Sequence, residues 1–137
     1  MGVIVDDELK WTDHIQHIFS KLLNYTSIFY KLRAKVPVRI LLNVYYAFVH
    51  PHLFYAIEVY GNPRSLYIDK LAKLNNKLPR ILQDKPFRSH VSDLYLEFNT
   101  LAVTLLHRQQ LLISAHKIIH HPESVPEYCC SLITSIK

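Results

Sequence analysis

TDHIQHIFSKLLNYTSIFYKL, residues 12–32, is the most regular stretch of the chain. Ile15, Ile18, Phe19, Leu22, Thr26, Phe29 and Leu32 recur at spacings of three and four, the period of one helical face and not of a strand. Thr12 or Asp13 can cap the start. Pro37 stops the helix beyond its end, because a proline has no N–H to give and clashes one turn back. The spacing predicts a long first helix with one inward stripe.

The helical period continues on the C-terminal side. Pro37 suits the first turn of a second helix carrying Ile40, Leu41, Val44, Tyr45, Phe48, Leu53, Ile57 and Tyr60, with a kink or split near His50 imposed by Pro51. Gly61, Asn62 and Pro63 form a turn. A third helix follows from about Ser65 to Gln83, with Leu71, Leu74, Leu78, Ile81 and Leu82 inward and a bend at Pro79. A basic loop from Asp84 to His90 leads to a short helix through Phe98, capped by Ser89 or Ser92. A last helix, about Val103 to His120, carries Leu105, Leu106, Leu112, Ile113, His116 and Ile119. Pro122 and Pro126 mark a loose tail over 121–137. On the N-terminal side, Met1 to Val5 reads as a short apolar strand that cannot pair alone. The expected fold is mainly α: one helical domain over 1–137, an array of about five helices with one orphan strand.

Composition narrows the function. The chain has 137 residues, half of them apolar and 20% charged, which is a globular balance and enough for one core. Only Gly2 and Gly61 are glycines. Glycine-rich phosphate cradles of the Rossmann or P-loop kind are therefore excluded. The longest uncharged run, 40–57, contains Asn43, His50, Pro51 and His52, so it reads as a buried helix and no membrane partner is expected. Cys129 and Cys130 are adjacent and give no disulfide framework, which fits a reducing, intracellular compartment.

The net charge of +5 is unevenly spread: residues 31–88 carry +8, residues 1–30 carry −2 and residues 89–137 carry −1. Lys70, Lys73, Lys77 and Arg80 fall on one face of the third helix, flanked by Arg64, Lys85 and Arg88. A row of cations at helical spacing suits a nucleic-acid backbone, and equally a solvated face. Lys31, Arg33, Lys35 and Arg39 surround the first interhelical turn, where they also suit a helix C-terminus. Six of the nine tyrosines, Tyr25, Tyr30, Tyr45, Tyr46, Tyr55 and Tyr60, lie in the first two helices and read as core with polar tips before they read as base-stacking platforms. Asp6 and Asp7 lack the further strand-end carboxylate that two-metal chemistry needs. His14 with His17, His50 with His52, and His116 with His120 and His121 give no four-ligand zinc spacing. Neither catalytic residues, nor a cofactor, nor a small-molecule substrate are expected.

The run Gly2-Val3-Ile4-Val5-Asp6, Leu9-Lys10-Trp11 and His14-Ile15 resembles the segment just after the palm of reverse transcriptases from non-LTR (LINE-type) retrotransposons. Leu32-Arg33 before Pro37, Leu42 to Tyr45-Tyr46, Pro51-x-Leu53 to Tyr55, Val59-Tyr60-Gly61, Asn76-Lys77 to Arg80-Ile81, and Pro86-Phe87-Arg88-Ser89-His90 before Leu94 and Leu96 continue the likeness, over about residues 2–120. The resemblance implies a thumb-like helical region that holds RNA or RNA:DNA duplex, working with the palm and fingers of a larger polymerase. The catalytic carboxylates and their magnesium would then lie upstream, with Asp6 and Asp7 in an acidic turn after the palm. Three features depart from the family: Tyr60 where Trp is usual, Pro79 inside a normally continuous helix, and Met1 before the glycine. They suggest a decayed element.

A helical protein-interaction module is the alternative. Sequences like the first 35 residues are also grouped with a small N-terminal domain of AlkB-type tRNA-modifying enzymes, although nothing here supplies the His-x-Asp iron site of that chemistry.

Overall fold

The computed structural model describes residues 2–5, 7–8, 10–62, 65–121 and 123. Asp6, Arg64, Cys129, Cys130 and nearly all of the expected tail lie outside the described residues. Among the described residues eight α-helices follow one another: α1 (Thr12–Leu32), α2 (Val38–Val44), α3 (His50–Phe54), α4 (Ile57–Tyr60), α5 (Leu66–Asn75), α6 (Lys77–Leu82), α7 (Val91–Glu97) and α8 (Val103–His120), with a π-helical turn (Tyr45–Val49) joining α2 to α3. The fold is mainly α, as expected. No strand occurs among the described residues, which corrects the orphan-strand expectation: Ile4 and Val5 are exposed and meet no neighbouring strand. The Ile4 N–H donates instead to His14 Nδ1 at 3.3 Å.

α1 packs on α5 and α6. Ile15, Ile18, Leu22, Thr26 and Phe29 are buried, with Phe19 and Leu32 packed at the margin, so the predicted stripe is the one that faces inward. Each fully buried Leu or Ile side chain contributes about 1.5–3 kcal/mol. The cap differs from expectation: Trp11 occupies the N-cap in a left-handed conformation and no side chain caps the helix.

The second helix is divided near His50, as Pro51 leads one to expect: a π turn ends at Val49 and α3 begins at His50. Pro51 cannot bond the carbonyl four residues back, and the chain answers with a π turn just before it. A further break lies at Tyr55 and Ala56, where Ala56 takes φ 58°. Of the expected stripe, Ile40 and Phe48 are exposed, while Val49 is buried in their place.

The third helix is interrupted within the turn before Pro79, where the proline ring meets the preceding turn. α5 ends at Asn75 and α6 begins at Lys77, which leaves Pro79 in the first turn of α6, where a missing N–H costs no intrahelical bond. Leu71, Leu74, Leu78, Ile81 and Leu82 are all buried, together with Ile68.

α8 has the predicted bounds and a different inner face. Only Val103, Leu106 and His107 are buried, against α4 and α5. Leu105, Leu112, Ile113, His116 and Ile119, expected inside, are exposed among the described residues. Among the described residues no helix is long and apolar enough to cross a membrane.

Candidate nucleic-acid interface

The end of α6 builds the site. Asp84 adopts φ 52°; its N–H donates to the Ile81 carbonyl and the Lys85 N–H to the Arg80 carbonyl, at 3.3 and 2.9 Å. This paired closure normally uses glycine. It turns the chain sharply, so that the loop after α6 folds back beside the end of α1. Tyr30 and Arg33 from α1 and its exit, Lys77, Arg80 and Ile81 from α6, and Lys85 and Phe87 from the loop line one cavity of about 220 Å³.

Four cations thus face a single recess, with buried Ile81 as its floor. They are not equally free. Arg80 is half-buried, with Nε and Nη2 donating to the Ser89 carbonyl at 3.3 and 3.1 Å and Nη1 to the Asn76 carbonyl at 3.2 Å. Its guanidinium lies 5.2 Å from the centre of the Phe87 ring. Arg33 pairs with Asp84 at 2.9 Å and sits 5.2 Å from the Tyr30 ring centre. Asp84 is well exposed, so water screens that pair. Lys77 and Lys85 are exposed and form no ion pair among the described residues.

The other expected cations are elsewhere. Lys73 pairs with Asp69 at 2.7 Å along α5. Lys70 lies 5.7 Å from the Tyr67 ring and borders a separate cavity beside Ile15, Gln16 and Phe19. Lys31, Lys35, Arg39 and Arg88 are exposed. Lys70 and Lys73 belong to α5 and Lys77 and Arg80 to α6, and it is the second pair that lines this recess. In the sequence Tyr30 is one of six tyrosines that read as core before they read as base-stacking platforms, and Phe87 does not stand out as a site residue. For Phe87 a signal exists, an apolar ring between Lys85 and Arg88 in a loop with no helical period to bury it.

Other constellations are structural in geometry. Tyr45, Asn75, Tyr95 and Asn76 form a buried chain: Tyr45 donates to Asn75 Oδ1 at 3.4 Å, Asn75 Nδ2 to Tyr95 at 2.9 Å, and Tyr95 to Asn76 Oδ1 at 2.8 Å. Burial pushes the Tyr45 hydroxyl up to about 12 and raises those of Tyr60 and Tyr95 further. Tyr60 donates to the Leu53 carbonyl and Tyr46 to those of Phe98 and Asn99. His14, His17 and His52 border a small recess of about 60 Å³ with Lys21 and Tyr55. Among the described residues no three His, Cys, Asp or Glu side chains converge as a metal site would need.

The chain is 26% identical over 128 residues to the RNA-directed DNA polymerase from mobile element jockey of Drosophila funebris. The match takes in 91% of this chain and spans only 14% of that polymerase. No family model matches the sequence, and no solved structure matches it significantly. The similarity supports a region related to a reverse transcriptase.

Proposed function

We propose that the chain is the thumb-like helical region that follows the palm in a non-LTR retrotransposon reverse transcriptase, and that it contacts the phosphates of RNA or RNA:DNA duplex. The observation that carries this reading is the convergence of Arg33, Lys77, Arg80 and Lys85 on one recess with a single, well-exposed carboxylate among them. Each phosphate neutralised there releases a counterion. Lys77 and Lys85 supply the mobile charges; Arg80 holds the loop that presents Lys85; Lys31, Lys35, Arg39 and Arg88 extend the field around the recess. On this reading the chain does no polymerisation itself, and magnesium belongs to a palm supplied by the parent enzyme.

In a filter-binding titration on an RNA:DNA duplex, Lys77→Glu with Lys85→Glu is expected to weaken binding and to flatten the salt dependence by roughly two units of slope. Unchanged binding in the double variant would remove the recess from the interface. A second reading, a module that docks on a protein, draws on the exposed Leu111, Leu112, Ile113 and Ile119 of α8. A stable hetero-complex in light scattering, untouched by charge reversal at Lys73 and Lys77, would favour it.

A further inference from the structure

The recess between α1, α6 and the loop after α6 has aromatic rims as well as cations. Phe87 is 75% exposed and Tyr30 53% exposed, although a guanidinium already lies over each ring. Leaving a phenyl ring in water is unfavourable, and an exposed Phe beside paired cations is the arrangement that single-stranded nucleic acids use, base on ring and phosphate on ammonium. A duplex cannot use it except at its ends, since stacked neighbours cover both faces of every internal base. The cavity, about 220 Å³, is smaller than the roughly 300–1,000 Å³ of pockets that enclose a whole small molecule. It suits one flat ring entering from an open side.

We infer that this recess takes an unpaired nucleotide of a nucleic-acid strand, its base against Phe87 and Tyr30 and its phosphates on Lys77 and Lys85. The inference rests on the nucleic-acid reading above and narrows it from the duplex backbone to a flipped-out, overhanging or single-stranded position. Arg80 serves as the pivot: it fixes the backbone at Ser89 and Asn76 and lies against the Phe87 ring, so ring and loop are set before a ligand arrives.

The test uses the full chain with three labelled probes of equal length: oligo(U) RNA, the same backbone with abasic sugars, and a blunt RNA:DNA duplex. Oligo(U) is expected to bind about five- to a hundred-fold more tightly than the abasic strand, the range that loss of one stacked base spans. Phe87→Ala is expected to abolish that difference and Phe87→Trp to restore it, while the Lys77→Glu, Lys85→Glu variant weakens all three probes. Phe87 is so exposed that its replacement leaves the core intact. Equal affinity for oligo(U) and the abasic strand, with salt-sensitive duplex binding retained, would overturn the unpaired-base site and leave the duplex reading standing. Absence of binding to every probe at low salt would overturn both.

Discussion

At Gly61 a hydrogen is all that fits: a Cβ there would lie 2.6 Å from His107 Cδ2 and closer still to the Ile57 carbonyl oxygen. This is close approach, not backbone freedom, because the positive-φ positions among the described residues are Trp11, Ala56, Asp84 and Asn99, none of them glycine. Asp84 and Asn99 close α6 and α7 in the same way, with the Thr100 N–H reaching back to the Tyr95 carbonyl as Lys85 reaches Arg80. Asp and Asn tolerate that conformation best after glycine, and both follow the last apolar residue of their helix, so these ends were legible in the sequence. Ala56 and Trp11 were not, since nothing in either side chain favours φ > 0. Opposite outcomes are expected from two exchanges. Gly61→Ala should cost about 1–3 kcal/mol through overpacking against a carbonyl, and Ala56→Gly should be neutral or stabilising by up to about 1 kcal/mol. Urea unfolding of the two variants checks both.

The helices show which local signals prevail. The stripe of α1 and that of α5 with α6 were readable because long runs of Leu and Ile at helical spacing leave one way to pack. Prolines are legible as disruptions and, to within one turn, as the places where helices are interrupted. A π turn ends directly before His50 and Pro51, and the break at Asn76 lies within the turn before Pro79, whereas the break at Tyr55 and Ala56 has no proline to announce it. α8 misleads for another reason: its apolar residues occur all round, which fixes no inner face, and its neighbours cover only its first turn and a half. The loop after α6 depends on Arg80 more than on any apolar contact. Arg80→Met leaves the Ser89 and Asn76 carbonyls without their donor and should cost about 1–3 kcal/mol. It should also raise hydrogen exchange and proteolysis specifically over residues 84–90, where a purely global loss of stability would speed exchange everywhere.

Across the whole molecule, residues 31–88 hold the excess of positive charge and the fold concentrates part of it in one recess. The sequence made the excess visible but not the grouping. Tyr30 and Arg33 lie more than forty residues from Lys77 in the chain, so no local spacing records that they meet. The similarity to the jockey polymerase runs along 91% of the chain and spans 14% of that polymerase.

The same scale sets the response to acid. Burial lowers His14, with His17 adding to it; burial lowers His50; and burial, then Lys21 and His17, lowers His52. The unfolded chain therefore takes up protons below about pH 6.5 that the folded chain refuses, and stability falls as pH drops through that range, with no contribution from these groups above it. Thermal melts from pH 8 to about pH 5 should show this decline, and His14→Gln should make it shallower. A melting temperature that rises toward pH 5 would mean that these histidines gain a partner on folding.

The most direct measurement is the affinity of the full chain for an RNA:DNA duplex across about 50–200 mM salt. With Lys77, Lys85 and Arg33 each on a phosphate, the logarithm of the binding constant should fall against the logarithm of salt with a slope of roughly −2 to −4, whatever the duplex sequence. An affinity indifferent to salt, or no binding at the lowest salt, would contradict a thumb-like, backbone-gripping role.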